Sequence, residues 1–255
     1  MKTLAIARNT AREALRNKVL YSILGFAALV VGVAALFGSA SIGNQMKFVK
    51  DFSLAAISLF GVVIAVTLGV SMLSKELGRR TILNILSKPV ARWQFIVGKF
   101  AGLAATLTVV VVLMTAALVG IVAAFDGAID PGLVVAGAAV VLELVIVVAI
   151  ALFFSAVVVT PTLVGMFTVA AFVAGRSAGY LAYFRGDDAN PIVRAVATVL
   201  YWVLPHLERL EVADQVVYGD VLSLGTFGLA AAYAAAYTAL LLLLTIALFQ
   251  RREFV

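Results

Sequence analysis

Six apolar runs, each about 20 residues or longer, recur along the chain with short polar stretches between them. They lie at about residues 19–39, 53–74, 97–125, 132–158, 162–183 and 222–249. A helix needs about 20 residues to cross a bilayer core of about 30 Å, so each run is long enough to span. None shows the strict alternation of a membrane barrel strand. The pattern predicts an all-α integral membrane protein of six transmembrane helices. Ahead of the first run, Arg8, Arg12 and Arg16 recur every fourth residue, with Leu4, Ala7, Ala11, Ala14 and Leu15 on the opposite face. Residues 1–18 are therefore expected to form an elbow helix in the headgroup layer, basic side toward lipid phosphate. A signal-peptide reading fits less well, because the apolar run behind it is too long and five more follow.

The polar stretches differ in character. Residues 75–96 join the second and third runs and carry Lys75, Arg79, Arg80, Lys88 and Arg92 against one acid, Glu76. Ile82, Leu83, Ile85 and Leu86 recur there at helical spacing, which predicts a short amphipathic helix. Pro89 should end it, since the residue before proline is pushed out of the α region. Residues 126–131 make a tight acidic turn, and Thr160-Pro161-Thr162 a shorter one. Residues 184–220 form the largest hydrophilic excursion. After the turn cluster at 186–191, Val193, Val196, Val199, Leu200 and Val203 mark a helix too short to cross, ended by Pro205. Tyr201 and Trp202 suit an interfacial or re-entrant placement.

Composition supports the membrane class: 64% of the 255 residues are hydrophobic and 13% charged. Soluble domains average about half apolar and about a quarter charged. With no cysteine and one histidine, His206, thiolate and multi-histidine metal centres are excluded. Orientation follows from the basic residues. With both termini in the cytoplasm, thirteen of the 19 Lys and Arg fall inside and five outside, with Arg176 within a span. The net charge of +6 is thus a membrane signature and no sign of nucleic-acid binding. No G-x-x-x-x-G-K-[ST] loop occurs, because Gly98-Lys99 lacks the upstream glycine and the following hydroxyl. No H-E-x-x-H, no G-x-S-x-G and no aspartate within a span is present, so no catalytic role is expected.

Two ionisable residues fall within spans, Glu143 in the fourth and Arg176 in the fifth. A charge at that depth costs at least about 2.5–3.5 kcal/mol on insertion scales and normally has a partner or a cavity. Glu143 lies 17 residues before Thr160 and Arg176 lies 16 after it, so both sit about 25 Å from the turn. They are expected to face each other, as part of a polar pathway or switch, or as an ion pair that locks the hairpin. Gly175 and Gly179 make a small-xxx-small step suited to dimer or helix packing. Residues 230–236, with Tyr233 and Tyr237, read as a packing face.

One stretch carries more than periodicity. Glu76, Arg80-Thr81, Ile85-Leu86-Ser87-Lys88-Pro89-Val90, Arg92, Phe95 and Gly98-Lys99 resemble the first cytoplasmic loop of type-2 ABC transporter permeases. Arg80-Thr81 stands where many members have Gly-Thr, which resembles the branch of the nitrous-oxide-reductase-maturation permease. The resemblance implies a transmembrane subunit of an ATP-driven transporter, in the inner membrane of a prokaryote. Two copies of a separate ABC ATPase would hold ATP and Mg, with no cofactor in this chain. Residues 75–92 would be the coupling helix: Ile82, Leu83, Ile85 and Leu86 filling a cleft on the ATPase, Glu76, Arg79, Arg80 and Arg92 setting register. It also implies a homodimer, with the first and fifth spans at its axis, and export over uptake. Residues 184–220 are a candidate dock for a periplasmic or other outer-face partner. Two other readings stay open from the residues alone. A membrane scaffold would show no nucleotide-linked change, and a proton-coupled secondary transporter would depend on Glu143.

Overall fold

A computed structural model of the chain describes residues 2–40, 45–78, 91–126, 129–158, 160–185, 190–211 and 224–251. Among them there are helices and no strands. The α-helices are α1 (Lys2–Leu15), α2 (Lys18–Ala40), α3 (Gln45–Gly78), α4 (Arg92–Asp126), α5 (Pro131–Val157), α6 (Pro161–Arg176), α7 (Pro191–Val203) and α8 (Leu224–Arg251). Two 3-10 segments, Ala178–Arg185 and Leu207–Leu210, flank α7.

The helix starts are written in the sequence. Three helices begin with proline in the first turn, behind Asp130, Thr160 and Asn190. Proline is tolerated there because its missing N–H would have no intrahelical partner. Asp130 Oδ1 accepts from Gly132 N–H at 2.9 Å, and Asn190 Oδ1 accepts from Ile192 N–H at 3.0 Å. Each cap satisfies one orphan donor of its first turn. Asn17 does the same for α2, accepting from Val19 N–H at 3.0 Å.

Helix α5 is the hub. It packs against α3, α4, α6 and α8. Its most apolar window has a mean hydropathy of 3.0 and is 67% buried inside the chain, against 28% for that of α8. A helix apolar all round is what a central position requires. α3 and α4, of 34 and 35 residues, are each about 50 Å long and so outreach a bilayer core of about 30 Å. Four helices, α3, α4, α5 and α8, are long and apolar enough to cross a membrane. Two bent pairs bring the total to as many as six. These pairs are α1 with α2, and α6 with the 3-10 segment Ala178–Arg185, each bent by 59°.

Helix α1 is held by one face. Leu4 is 75% exposed and Leu15 is also exposed, while Thr10 and Ala14 are fully buried. The reason lies on α4. A side chain at Gly98 would meet Ile6 at 2.8 Å, and one at Gly102 would meet the Ala7 carbonyl at 2.5 Å and Thr10 at 2.7 Å. The Gly98-xxx-Gly102 step is thus a seat for α1, reached by close backbone approach. Arg8, Arg12 and Arg16 remain on the exposed side.

Candidate functional site

Hydroxyls in the spans mostly close on their own helix. Thr67, Thr106, Thr168, Thr245 and Ser155 each donate to the carbonyl four residues earlier, at 2.7–2.9 Å. That is how a lone hydroxyl is satisfied without water. Ser58 on α3 behaves otherwise. Its Oγ donates across to Glu143 Oε2 on α5 at 2.9 Å.

Glu143 sits in the middle of α5 and is 3% exposed. Its other oxygen, Oε1, lies 3.4 Å from Arg176 Nε, an ionic contact with no hydrogen bond at either atom. Arg176 is the last residue of α6, where a cation also favours the helix C-terminus. Its Nη2 donates to Glu211 Oε1 at 3.0 Å. One guanidinium therefore bridges a buried carboxylate and an exposed one. The chain Ser58, Glu143, Arg176, Glu211 runs from the packed centre of the helices to the connection behind α7. A buried ion pair repays its desolvation only in good geometry, and removing one member costs about 3–5 kcal/mol.

Around this chain the segment after α7 is seated on α6. A side chain at Gly175 would meet the Pro205 carbonyl at 2.7 Å, and one at Gly179 would run into the Glu208 carboxylate. The open faces of both glycines are filled by their own chain, so the small-xxx-small step serves packing within the chain. Leu207 and Leu210 are buried beside them. From α8, Tyr233 accepts from His206 N–H at 2.8 Å, and Tyr237 donates to the Val203 carbonyl at 3.0 Å. Arg209 lies 5.6 Å over the Tyr233 ring and Arg185 4.4 Å over Tyr201, both within cation–π range. The His206 ring packs edge-on to Tyr201 at 4.4 Å. Burial, then the neighbouring Arg209 charge, hold its imidazole below the ordinary value of 6.5.

A second polar feature lies at the other end of α8. Arg92, the first residue of α4, donates through Nη1 to the Phe249 and Gln250 carbonyls, each at 3.0 Å. These belong to the last turn of α8. Phe95 stacks on Phe249 at 6.1 Å. The start of α4, the end of α8 and the seat of α1 thus share one end of the molecule. Of the coupling-stretch residues, the structure places Arg92 on carbonyls of its own chain. Glu76 lies in the last turn of α3. Arg79, Arg80, Thr81, Ile82, Leu83, Ile85, Leu86, Ser87, Lys88 and Pro89 lie outside the described residues.

Sequence reasoning named Glu143 and Arg176, which the structure brings together, and missed Ser58, Glu211 and the capping role of Arg92. Serine in an apolar helix carries no mark of its partner, and Glu211 is one acid among several in a loop. Chemically, the cluster offers a buried carboxylate whose counter-ion is shared with a surface acid. Among the described residues no group of histidine, aspartate and glutamate could hold a metal ion.

A family model described as "ABC-2 family transporter protein" matches residues 4–254. No curated relative matches the chain.

Proposed function

The chain belongs to the ABC-2 family of transporter proteins, and we propose that it is the permease subunit of an ATP-driven exporter, worked by a separate ATPase. It is a multi-pass membrane protein and a membrane component of ABC transport. The observation that carries the reading is the family match over nearly the whole chain, together with the charged stretch between α3 and α4. That stretch joins two helices longer than the bilayer core, so it can stand clear of the membrane where a soluble subunit could reach it.

In this reading two copies of the chain meet two ATPase chains, which hold ATP and Mg, at the cytoplasmic face of a prokaryotic inner membrane. Ile82, Leu83, Ile85 and Leu86 fill the ATPase cleft, and Glu76, Arg79 and Arg80 set register. Closure of the ATPase pair moves the stretch, and the spans follow as rigid bodies. Exchange of Arg176 between Glu143 and Glu211 is the switch on the opposite side, and residues 184–220 present the surface for an outer-face partner. The shared end of α1, α4 and α8 supports placing both termini on the ATPase side.

The test is co-purification from native membranes in mild detergent, with Glu76→Ala and Leu86→Asp variants beside the unaltered chain. An ATPase is expected to follow the unaltered chain and to be lost with Leu86→Asp. Absence of any ATPase in several detergents would sink the reading and leave the scaffold in its place.

A further inference from the structure

We propose that α8 is a rod that carries movement of the coupling stretch to the outer segment 190–211, with Arg92 as the residue that positions its inner end. The proposal rests on the permease reading and adds a path and a destination to it.

Helix α8 is gripped at two levels. At its inner end, Arg92 donates to the Phe249 and Gln250 carbonyls, and Phe95 stacks on Phe249. Arg92 is the first helical residue behind the coupling stretch, so it moves with whatever that stretch docks on. Higher up, Tyr237 donates to the Val203 carbonyl and Tyr233 accepts from His206 N–H. These bonds hold the end of α7 and the turn that follows it. Tyr237 and Phe249 are 12 residues apart in an unbroken helix, about 18 Å along its axis. An α-helix without proline or a bulge transmits an axial shift over that distance with little bending.

The rest of α8 packs along one side only. Its membrane window is 28% buried, and its buried residues Ala234, Thr238, Leu241, Thr245 and Phe249 fall on one stripe. A single stripe against α5 and α4 allows a small sliding or rolling shift, the kind that packed helices undergo. The outer segment in turn carries Glu211, which shares Arg176 with Glu143. A shift of α8 that pulls on Val203 and His206 therefore also bears on which carboxylate holds Arg176. The outer segment becomes the reporting end of the ATPase cycle, and α7 its exposed face: Ile192 is 75% and Trp202 74% exposed.

The chain has no cysteine, so a single introduced thiol gives a clean label. A nitroxide is placed at Ile192→Cys in the permease–ATPase complex taken from native membranes. Its mobility and accessibility to oxygen are compared without nucleotide and with ATP plus orthovanadate. The expected result is a nucleotide-dependent change that is lost when Tyr233 and Tyr237 are both changed to Phe, which removes both bonds of the upper grip without touching the coupling end. Arg92→Gln should lose it too at equal ATPase occupancy, and Arg92→Lys should restore part of it. A change that persists in full both in the Tyr233→Phe, Tyr237→Phe double variant and in Arg92→Gln overturns the proposal, as does no change in the unaltered complex while ATP is being hydrolysed. Failure of the ATPase to co-purify at all is a different result and removes the permease reading itself.

Discussion

The two ends of the helical body are built from different chemistry. At the end that holds the coupling stretch, contacts are close and mostly neutral: Gly98 and Gly102 seat α1, and Arg92 spends its charge on backbone carbonyls. Toward the other end, Glu143, Arg176 and Glu211 share one guanidinium, and arginines lie over Tyr201 and Tyr233. Backbone caps and glycine seats have one good geometry and hold elements rigidly. An arginine between two acids has two partners to choose from, and a group with two partners is a natural place for a structure to change. One end is stiff and the other adjustable, which fits the proposed function, in which the first would receive force and the second would respond.

Breaking the ionic end should cost most. Arg176→Met strands Glu143 in the packed centre and is expected to destabilise the protein by about 3–5 kcal/mol, read as loss of the folded species in thermal unfolding in detergent. The double change Glu143→Leu with Arg176→Met should recover most of that stability, because replacing a buried pair by apolar groups is often close to neutral. If the double variant were no better than the single, Glu143 would not be held by Arg176.

The stiff end should fail by steric means instead. Gly102→Leu drives a side chain into Ala7 and Thr10 and should cost about 1–3 kcal/mol. The expected sign is earlier proteolysis of α1 with the remaining helices intact. Uniform unfolding of the whole chain would show that α1 is part of the core and no separate seated element.

Acidification sharpens the contrast further. His206 has a lowered pKa in the folded protein, so the unfolded or undocked form binds the proton more readily. Stability from the neutral ring is present above the ordinary value of 6.5 and is lost as pH falls from there through the folded value. Corrected for the intrinsic slowing of amide exchange in acid, the protection of residues 203–211 should fall as pH drops below the ordinary 6.5, while α1 stays protected. His206→Phe should flatten that dependence.

The smallest effect belongs to the ion pair of Lys50 with Asp130, at 2.8 Å. Burial raises the Asp130 carboxyl, but hydrogen bonds from Lys50 and Gly132 and the Lys50 charge outweigh it and hold the group below its ordinary 3.8. Lys50→Ala should cost about 0.2–1 kcal/mol, since the pair is partly exposed. That contribution exists above the ordinary carboxylate value and disappears as pH drops through the folded one, so the variants should converge in acid.

Much of the fold was legible because bilayer physics leaves few choices. Long apolar runs must be helices, and the proline starts at Pro131, Pro161 and Pro191 mark where three of them begin. The meeting of Glu143 and Arg176 could be inferred from equal distances to one turn, because a tight hairpin fixes depth. What could not be read was anything set by side-chain choice across non-adjacent elements. Ser58 could have closed on its own helix, as Thr67 does nine residues later. Arg92 belongs to a basic loop motif, yet it donates to the last carbonyls of α8, 157 and 158 positions away. The seat of α1 follows the glycines of α4 at Gly98 and Gly102, which hydrophobic periodicity alone does not mark.

The central claim is that an ATPase docks at the coupling stretch and that the adjustable end is left for something else. It is tested most directly by a photo-crosslinking residue placed at Leu86 in one variant and at Ile192 in another, both in native membranes. The account predicts an adduct with an ATPase from position 86 and none from position 192. An ATPase adduct at 192, or none at 86 in a correctly inserted protein, would contradict it.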